Sequence, residues 1–278
     1  MLQNTFCHIN GVGQKTEARF WQAGIRSWPD FNRAEIPAVS ASKAALIAGE
    51  LHDSQVALQK KDPVYFSRRL PADQHWRIFG EFCHSTAYID IETTGLGFDS
   101  SRITTIALYD GSKIRYYVNG INLERFAEDI SCYDLVVTYN GKTFDIPFIE
   151  RFFGIRMTQA HVDLRYVLKS LGYKGGLKGC EKCFGLHRSE LEGVDGFMAV
   201  VLWHEYERNG DPRVLETLLA YNIEDVINLE HLMHAAYNLK VEDTPFSGQL
   251  KMELPQRPLV PFVPDAEVLC RIKNQQVL

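Results

Sequence analysis

Two carboxylates, Asp90 and Glu92, stand two residues apart in Tyr88-Ile89-Asp90-Ile91-Glu92-Thr93-Thr94-Gly95. The run reads as a short apolar strand followed at once by a turn. Alternate residues of a strand share a face, so Asp90 and Glu92 project together while Ile89 and Ile91 are buried on the other side. Like charges that close repel unless a divalent cation neutralises them or one stays protonated. The same local pattern also describes an edge strand with a solvated acidic face. Asp145 follows in Asn140-Gly141-Lys142-Thr143-Phe144-Asp145, directly after a strongly β-like run. There it sits at a helix start, at the carboxyl end of a strand, where open α/β sheets build their sites; taken alone, an Asp at a helix start is most often a cap. Tyr221 and Asp225, in Ala220-Tyr221-Asn222-Ile223-Glu224-Asp225, are four apart and share a helix face. As an isolated pair they read as a local contact.

Other residues invite different chemistry. Gly11-Val12-Gly13 leads into an amphipathic segment through Ala18, Phe20, Trp21 and Ala23, closed by Gly24. A tight glycine turn at a helix N-terminus presents free backbone N–H groups that suit a phosphate, and Lys15 and Arg19 lie near that opening. Cys180-x-x-Cys183 with His187 has the residue types of a zinc site, but no second cysteine pair follows and the spacing is that of one helix face. Asp163 is a reserve carboxylate, read first as a structural cap.

These side chains need a scaffold. Strands are expected at Ile103–Tyr109, at 113–118 after an Asp110-Gly111 hairpin turn, at 134–139 and at 160–164. Helices are expected over 41–51, 123–130, 146–153, 164–171, 177–184, 197–208 and 212–238. Pro37-Ala38-Val39-Ser40 precedes the helix at 41 and reads as a degenerate second hairpin. Hairpin-linked strands, then helices alternating with a buried strand, predict a mixed α/β sheet with helices on its faces. Residues 52–84 read as a helical connector. Their basic residues (Lys60, Lys61, Arg68, Arg69, Arg77) interleave with Tyr65, Phe66, Trp76, Phe79 and Phe82, a pattern that serves single-stranded nucleic acid or a packed face with a charged rim.

The chain has 278 residues, 45% hydrophobic and 23% charged, ordinary for a globular protein. No window reaches the roughly 18 apolar residues of a membrane span, and the N-terminus lacks the layout of a secretory signal. The expectation is a cytoplasmic protein with no membrane partner. Six cysteines scattered at 7, 83, 132, 180, 183 and 270 are too sparse for a disulfide framework. Net charge is −5, but residues 1–80 hold ten basic against seven acidic residues and the remainder 20 against 28. A mildly basic front end thus precedes an acidic body.

In that order and on those elements, Asp-x-Glu, Asp145 and Tyr-x-x-x-Asp resemble the DEDD exonuclease superfamily, whose fold is ribonuclease-H-like. The Tyr221 spacing is similar to its tyrosine branch. Asp-Ile-Glu-Thr-Thr-Gly-Leu, Tyr-Asn-Gly-Lys-Thr-Phe-Asp, Gly-Gly-Leu-Lys and Tyr-Asn-Ile-Glu-Asp-Val are similar to the YprB-type proteins, which join a helix-hairpin-helix-like front end to this nuclease domain. The resemblance covers about residues 5–240 and leaves the Pro-containing tail unmatched. It implies a division into residues 1–80, helical and nucleic-acid-binding; 81–242, the nuclease domain; and 243–278, a tail.

The resemblance further implies two-metal-ion phosphodiester hydrolysis, with ions roughly 3.5–4 Å apart. Asp90 would bridge two Mg2+ or Mn2+ ions, Glu92 and Asp225 would complete one and Asp145 would support the second, consistent with hard oxygen ligands. Tyr221 would orient the attacking water. Thr93, Thr94 and Leu96 would line the terminal-nucleotide pocket, Phe144 would stack on a base, and Asn140, Lys174 and Lys178 would complete the nucleic-acid contacts with Gly11, Gly13, Lys15 and Arg19. The expected activity is a 3′–5′ exonuclease acting on single-stranded 3′ ends, with DNA favoured over RNA. A structure-specific endonuclease with the same metals, and an inactive DNA-binding scaffold, are the alternatives. No protein partner is legible.

Overall fold

The computed structural model describes residues 1–31, 40–97 and 100–275. Five strands, β1 (Thr86–Thr93), β2 (Ile103–Tyr109), β3 (Ile114–Val118), β4 (Leu135–Thr138) and β5 (Ala160–Asp163), form one sheet in the order β3-β2-β1-β4-β5. β1–β2 and β2–β3 pair antiparallel, β1–β4 and β4–β5 parallel. The mixed sheet flanked by helices is the one expected from the sequence. Asp110 closes the β2–β3 hairpin by accepting hydrogen bonds from the Ser112 and Lys113 amides at 3.0 and 2.8 Å.

Among the described residues five α-helices precede the sheet: α1 (Gln14–Gln22), α2 (Trp28–Phe31), α3 (Ala41–Gln59), α4 (Pro63–Ser67) and α5 (Trp76–Phe82). Within and after it come α6 (Phe126–Ile130), α7 (Asp145–Phe153), α8 (Leu164–Ser170), α9 (Gly176–Cys183), α10 (Gly196–Asn209) and α11 (Pro212–Glu242), then α12 (Ser247–Leu250) and α13 (Ala266–Gln275). Strand alternation splits the core. Ala87, Ile89 and Ile91 pack with Ile106, Leu108, Phe126 and Phe148 on one face. Tyr88 and Tyr109 join the larger cluster on the other, with Leu218, Val226 and Leu229 of α11. α11 is therefore the lid under which the outward carboxylates of β1 must sit.

The helical front end is held by a buried ion pair: Arg77 of α5 donates to Glu17 of α1 at 2.7 Å. Glu17 also accepts from the Thr5 hydroxyl and the Phe6 amide. Arg77, Trp76, Phe79 and Phe82 are thus a packed face, while Lys60, Lys61, Arg68 and Arg69 form its exposed rim. α3 runs eight residues past the expected 51 because Ser54 and Ala57 continue its buried side. His8 Nε2 lies 2.8 Å from Ser54 Oγ. The expected turn at Pro37-Ala38-Val39 lies outside the described residues.

The tail differs most from its sequence reading, which assigned it no packing. It returns along α11 as a strap. Asn238 and Met252 exchange two hydrogen bonds, the Asp265 amide donates to Thr217, and α13 buries Val268, Leu269 and Ile272.

The turn after β4 sets where Asp145 lands. Asn140 adopts φ +66°, and the Gly141 amide donates to Thr138 Oγ1 at 3.1 Å. A Cβ on Gly141 would stand 2.2 Å from that oxygen and 2.6 Å from Thr138 Cβ. Gly141→Ala is therefore expected to cost about 1–3 kcal/mol, the scale of overpacking a tight site, measured as a fall in the midpoint of thermal unfolding.

Candidate active site

β1 outruns β4. Their pairing ends at Tyr88–Val137, so Asp90 to Thr93 project beyond the end of the neighbouring strand. α7 enters that notch with Asp145 as its first residue, and Asp145 Oδ1 accepts from the Ile91 amide at 3.3 Å. From the other side α11 brings Asn222, whose Nδ2 donates to Asp90 Oδ2 at 2.7 Å and to the Asp90 carbonyl at 3.2 Å. Asn222 Oδ1 in turn accepts from Thr105 of β2 at 3.0 Å. One oxygen each of Asp90, Glu92 and Asp225 lies within 4.8 Å of the other two, and among the described residues no other group of three His, Cys, Asp or Glu does this. The Asp-x-Glu pair and the late-helix Asp thus converge across more than 130 positions.

The electrostatics follow from burial. Glu92 is 8% exposed, Asp145 4% and Asp225 4%. Burial and the neighbouring Asp225, Glu92 and Asp145 push Asp90 well above the usual carboxylate range, and burial with Asp225 does the same to Glu92. Burial pushes Asp145 up to about 7. Asp225 is also raised by burial, against the pull of Arg188. Such a cluster is costly without a counter-ion. Its donors are hard carboxylate oxygens, and the Glu92 carboxylate accepts no hydrogen bond from the described residues. Asp90 is only half-buried and leaves a way in. The residues fit a divalent cation held by Asp90, Glu92 and Asp225, with Asp145 outside that trio.

Two protein cations border the trio. Arg188 pairs with Asp225 Oδ1 and bidentately with Glu181, at 2.7 Å through Nε and 2.5 Å through Nη2. Asn228 donates to the same Glu181 oxygen at 3.0 Å. Asp225 is thereby held in place through Oδ1. Lys178 Nζ donates to the Tyr221 hydroxyl at 2.9 Å and to the Val194 carbonyl. It also lies 4.7 Å from the Tyr221 ring centre. Lys178, expected to reach a phosphate, has its ammonium turned inward onto the phenol, and burial lowers its pKa. Burial together with Asp225, Glu92 and Asp90 raises Tyr221 far above its ordinary value, so its hydroxyl keeps its proton.

A cleft of about 560 Å³ opens at Asp90. Asn140, Arg165, Lys169, Lys174, Tyr139 and Tyr173 line it, with the left-handed Gly175-Gly176. Of the expected nucleic-acid contacts, Asn140 and Lys174 are here. Arg165, which donates to Asn140 Oδ1, and Lys169 were not foreseen. Thr93 and Thr94 sit at the end of β1, their hydroxyls bonded to the Gly95 carbonyl and the Arg102 amide. Leu96, at 83% exposure, stands free above them. Phe144 packs in the sheet's second core cluster, its ring 5.6 Å from that of Phe148. Gly11, Gly13 and Lys15 lie exposed at the start of α1 and Arg19 in its last turn, with Gly11 and Gly13 lining a separate hollow.

Asp163 is a cap: it accepts from the Arg165, Asn140 and Lys142 amides at 3.0, 2.7 and 3.1 Å. Cys180 is buried with Sγ 3.8 Å from the Tyr139 hydroxyl, whereas Cys183 is exposed.

Among the described residues, a sheet of this topology with two carboxylates on its central strand, met by a third from α11, defines the class. The RNase_H superfamily profile matches residues 87–237, more than half of the chain, and the chain belongs to the ribonuclease H superfamily. No curated protein sequence matches it. Among solved structures, the family B DNA polymerase from the hyperthermophilic archaeon Pyrobaculum calidifontis is similar, with 18% identity and a TM-score of 0.45. That likeness covers 60% of this chain and 27% of the polymerase, too slight to carry weight on function. Fold and acidic cluster together point to nuclease-type chemistry on nucleic acid. Among the described residues no helix is long and apolar enough to cross a membrane.

Proposed function

We propose that the protein is a metal-dependent 3′–5′ exonuclease of the DEDD tyrosine type, of the YprB-like kind, acting on single-stranded 3′ ends with DNA preferred. The observation that carries this is the convergence of the Asp90, Glu92 and Asp225 oxygens at the end of a cationic cleft. Two Mg2+ or Mn2+ ions are the proposed cofactors, held by that trio with Asp145 supporting the second. Bound there, divalent metal would neutralise the carboxylates and polarise the phosphoryl group.

The chain's own residues do the rest. Asn140, Arg165, Lys169 and Lys174 hold phosphate oxygens in the cleft. The protonated Tyr221 hydroxyl donates a hydrogen bond that orients the attacking water, and Lys178 fixes the phenol so that this donor points into the site. Asn222 locks the Asp90 rotamer through two hydrogen bonds. Leu96 offers an apolar wedge against the terminal base, with Thr93 and Thr94 shaping the backbone beside it. Residues 1–80 serve as the nucleic-acid-reading front end, the Gly11–Gly13 turn contacting backbone phosphate, ahead of a nuclease unit at 81–242 and the tail at 243–278. The preference for DNA rests on that turn.

The test is a 5′-labelled single strand digested with magnesium. The expected product is a ladder shortening from the 3′ end with mononucleotide release, faster on DNA than on matched RNA. Internal cutting of a closed single-stranded circle, or shortening from the 5′ end, would overturn the reading.

A further inference from the structure

A second groove lies behind the turn that carries Asn140. It measures about 270 Å³ and joins the two halves of the molecule: Ser67 and Arg68 come from the helical front end, Lys142, Arg156 and Tyr166 from the sheet domain. Arg68, Lys142 and Arg156 are exposed, and among the described residues none of them forms an ion pair. Lys142 Nζ stands 5.9 Å over the Tyr166 ring. The acid in this groove, Asp163, is already engaged by three backbone amides. His161 is held neutral, its pKa pushed down to about 3 by burial. The groove is therefore positive in a chain of net charge −5.

It is flanked by two other hollows. Asn140 and Arg165, in the wall of the cleft at Asp90, adjoin Lys142 and Asp163 in the wall of the groove. On its far side the 67–71 segment separates it from a third hollow of about 510 Å³, lined by Gly11, Gly13 and Arg69. The three hollows thus have walls built from adjoining residues, from Asp90 to the glycine turn, with exposed cations at each.

We propose that the Arg68–Lys142–Arg156 groove binds the phosphodiester backbone of the substrate strand on the 5′ side of the scissile bond, leading it from the cleft toward the front end. This rests on the nuclease reading of the cleft. Mobile cations spaced along a path hold phosphates without reading bases, and a single ring face at Tyr166 adds a sequence-tolerant stacking surface.

The experiment measures binding without divalent metal, so that strands stay intact. A variant with Arg68→Glu, Lys142→Glu and Arg156→Glu is compared with one carrying Lys113→Glu, Arg125→Glu and Arg208→Glu, three exposed cations that line none of the hollows. Both change net charge equally, and thermal unfolding checks that both fold. The groove variant is expected to bind a long single strand at least about tenfold more weakly at low salt and to lose about 2 from the log–log salt slope, roughly 0.7 per phosphate contact on a single strand. The control is expected to keep the wild-type slope. Equal slopes in the two variants would overturn the groove, even if the wild type digests strands. Wild-type protein that digests nothing, with the slopes still differing, would overturn the nuclease reading and leave the groove standing. A larger loss on duplex than on single strands would overturn the single-strand path.

Discussion

Asp90→Asn is expected to lower kcat/KM for nucleotide release by on the order of 10³-fold, the scale of losing a principal electrostatic element of a transition state, or about 4 kcal/mol. Asp90 is the carboxylate shared by everything in the site. It belongs to the trio, opens into the cleft and is the residue that Asn222 grips. The amide is isosteric and still accepts from Asn222, so the change removes charge and little else. Folding should not suffer, because one repelling charge leaves a buried cluster; the metal-free variant is expected to unfold at the wild-type temperature or above it. Asp145→Asn is the contrasting case. Its carboxylate stands outside the trio and takes a hydrogen bond from Ile91, so a smaller loss is expected. Rates of 3′-nucleotide release under saturating magnesium check both. Undiminished turnover in Asp90→Asn would place hydrolysis elsewhere.

The carboxylates were legible because each lies in a local pattern with a geometric meaning. Period-two alternation placed Asp90 and Glu92 on one face, and the Asn140-Gly141 turn located Asp145 at a helix start. The four-residue spacing put Tyr221 with Asp225. The sheet was readable for the same reason, since its strands are short apolar runs bounded by turns. What surrounds the carboxylates was not readable, because it depends on approaches between distant segments. Arg188 meets Asp225 only through the α9–α10 connection, and beside Cys183 and His187 its local sequence carries the residue types of a zinc site rather than those of an ion pair. Lys178 looked like a surface cation beside Gly175-Gly176, and nothing local says that it turns inward to Tyr221. One signal was available. Asn222 and Asn228 stand among Ile223, Val226, Ile227 and Leu229 on the long helix, and buried amides require partners; here those are Asp90 and Glu181. The strap is the other gap. Its Pro-containing stretch ahead of α13 has no periodicity, and its order comes from Asn238, Thr217 and the Arg257–Glu224 pair on α11.

Stabilisation by magnesium or manganese is expected to grow steeply with pH, and the direction follows from which state holds protons. A carboxylate raised in the fold costs stability once the unfolded chain ionises. For Asp145, raised to about 7, the cost begins near the unfolded value of about 4 and is complete above about 7, where it amounts to about 4 kcal/mol. Asp90 and Glu92 are raised well above their ordinary values and act in the same sense. Buried histidines act oppositely: His8 and His161, pushed down to about 3 by burial, lose stability as pH falls below about 6.5. The two trends overlap in the metal-free protein, so its own pH profile does not separate them. The difference between metal-loaded and metal-free protein does, because the histidines titrate alike in both. Metal needs ionised ligands. Asp90 and Glu92, the ligands themselves, hold their protons well above the ordinary carboxylate range, and one proton that must leave weakens apparent affinity about tenfold per pH unit, hence about 10²-fold between about pH 7 and 5. At a fixed metal concentration about 100 times Kd at neutral pH, the stabilisation of about 2.7 kcal/mol should therefore nearly vanish by about pH 5. Thermal unfolding with metal or chelator across that range measures it, and calorimetric titration should show protons released on binding. A metal-induced shift independent of pH would mean that these carboxylates are not the ligands.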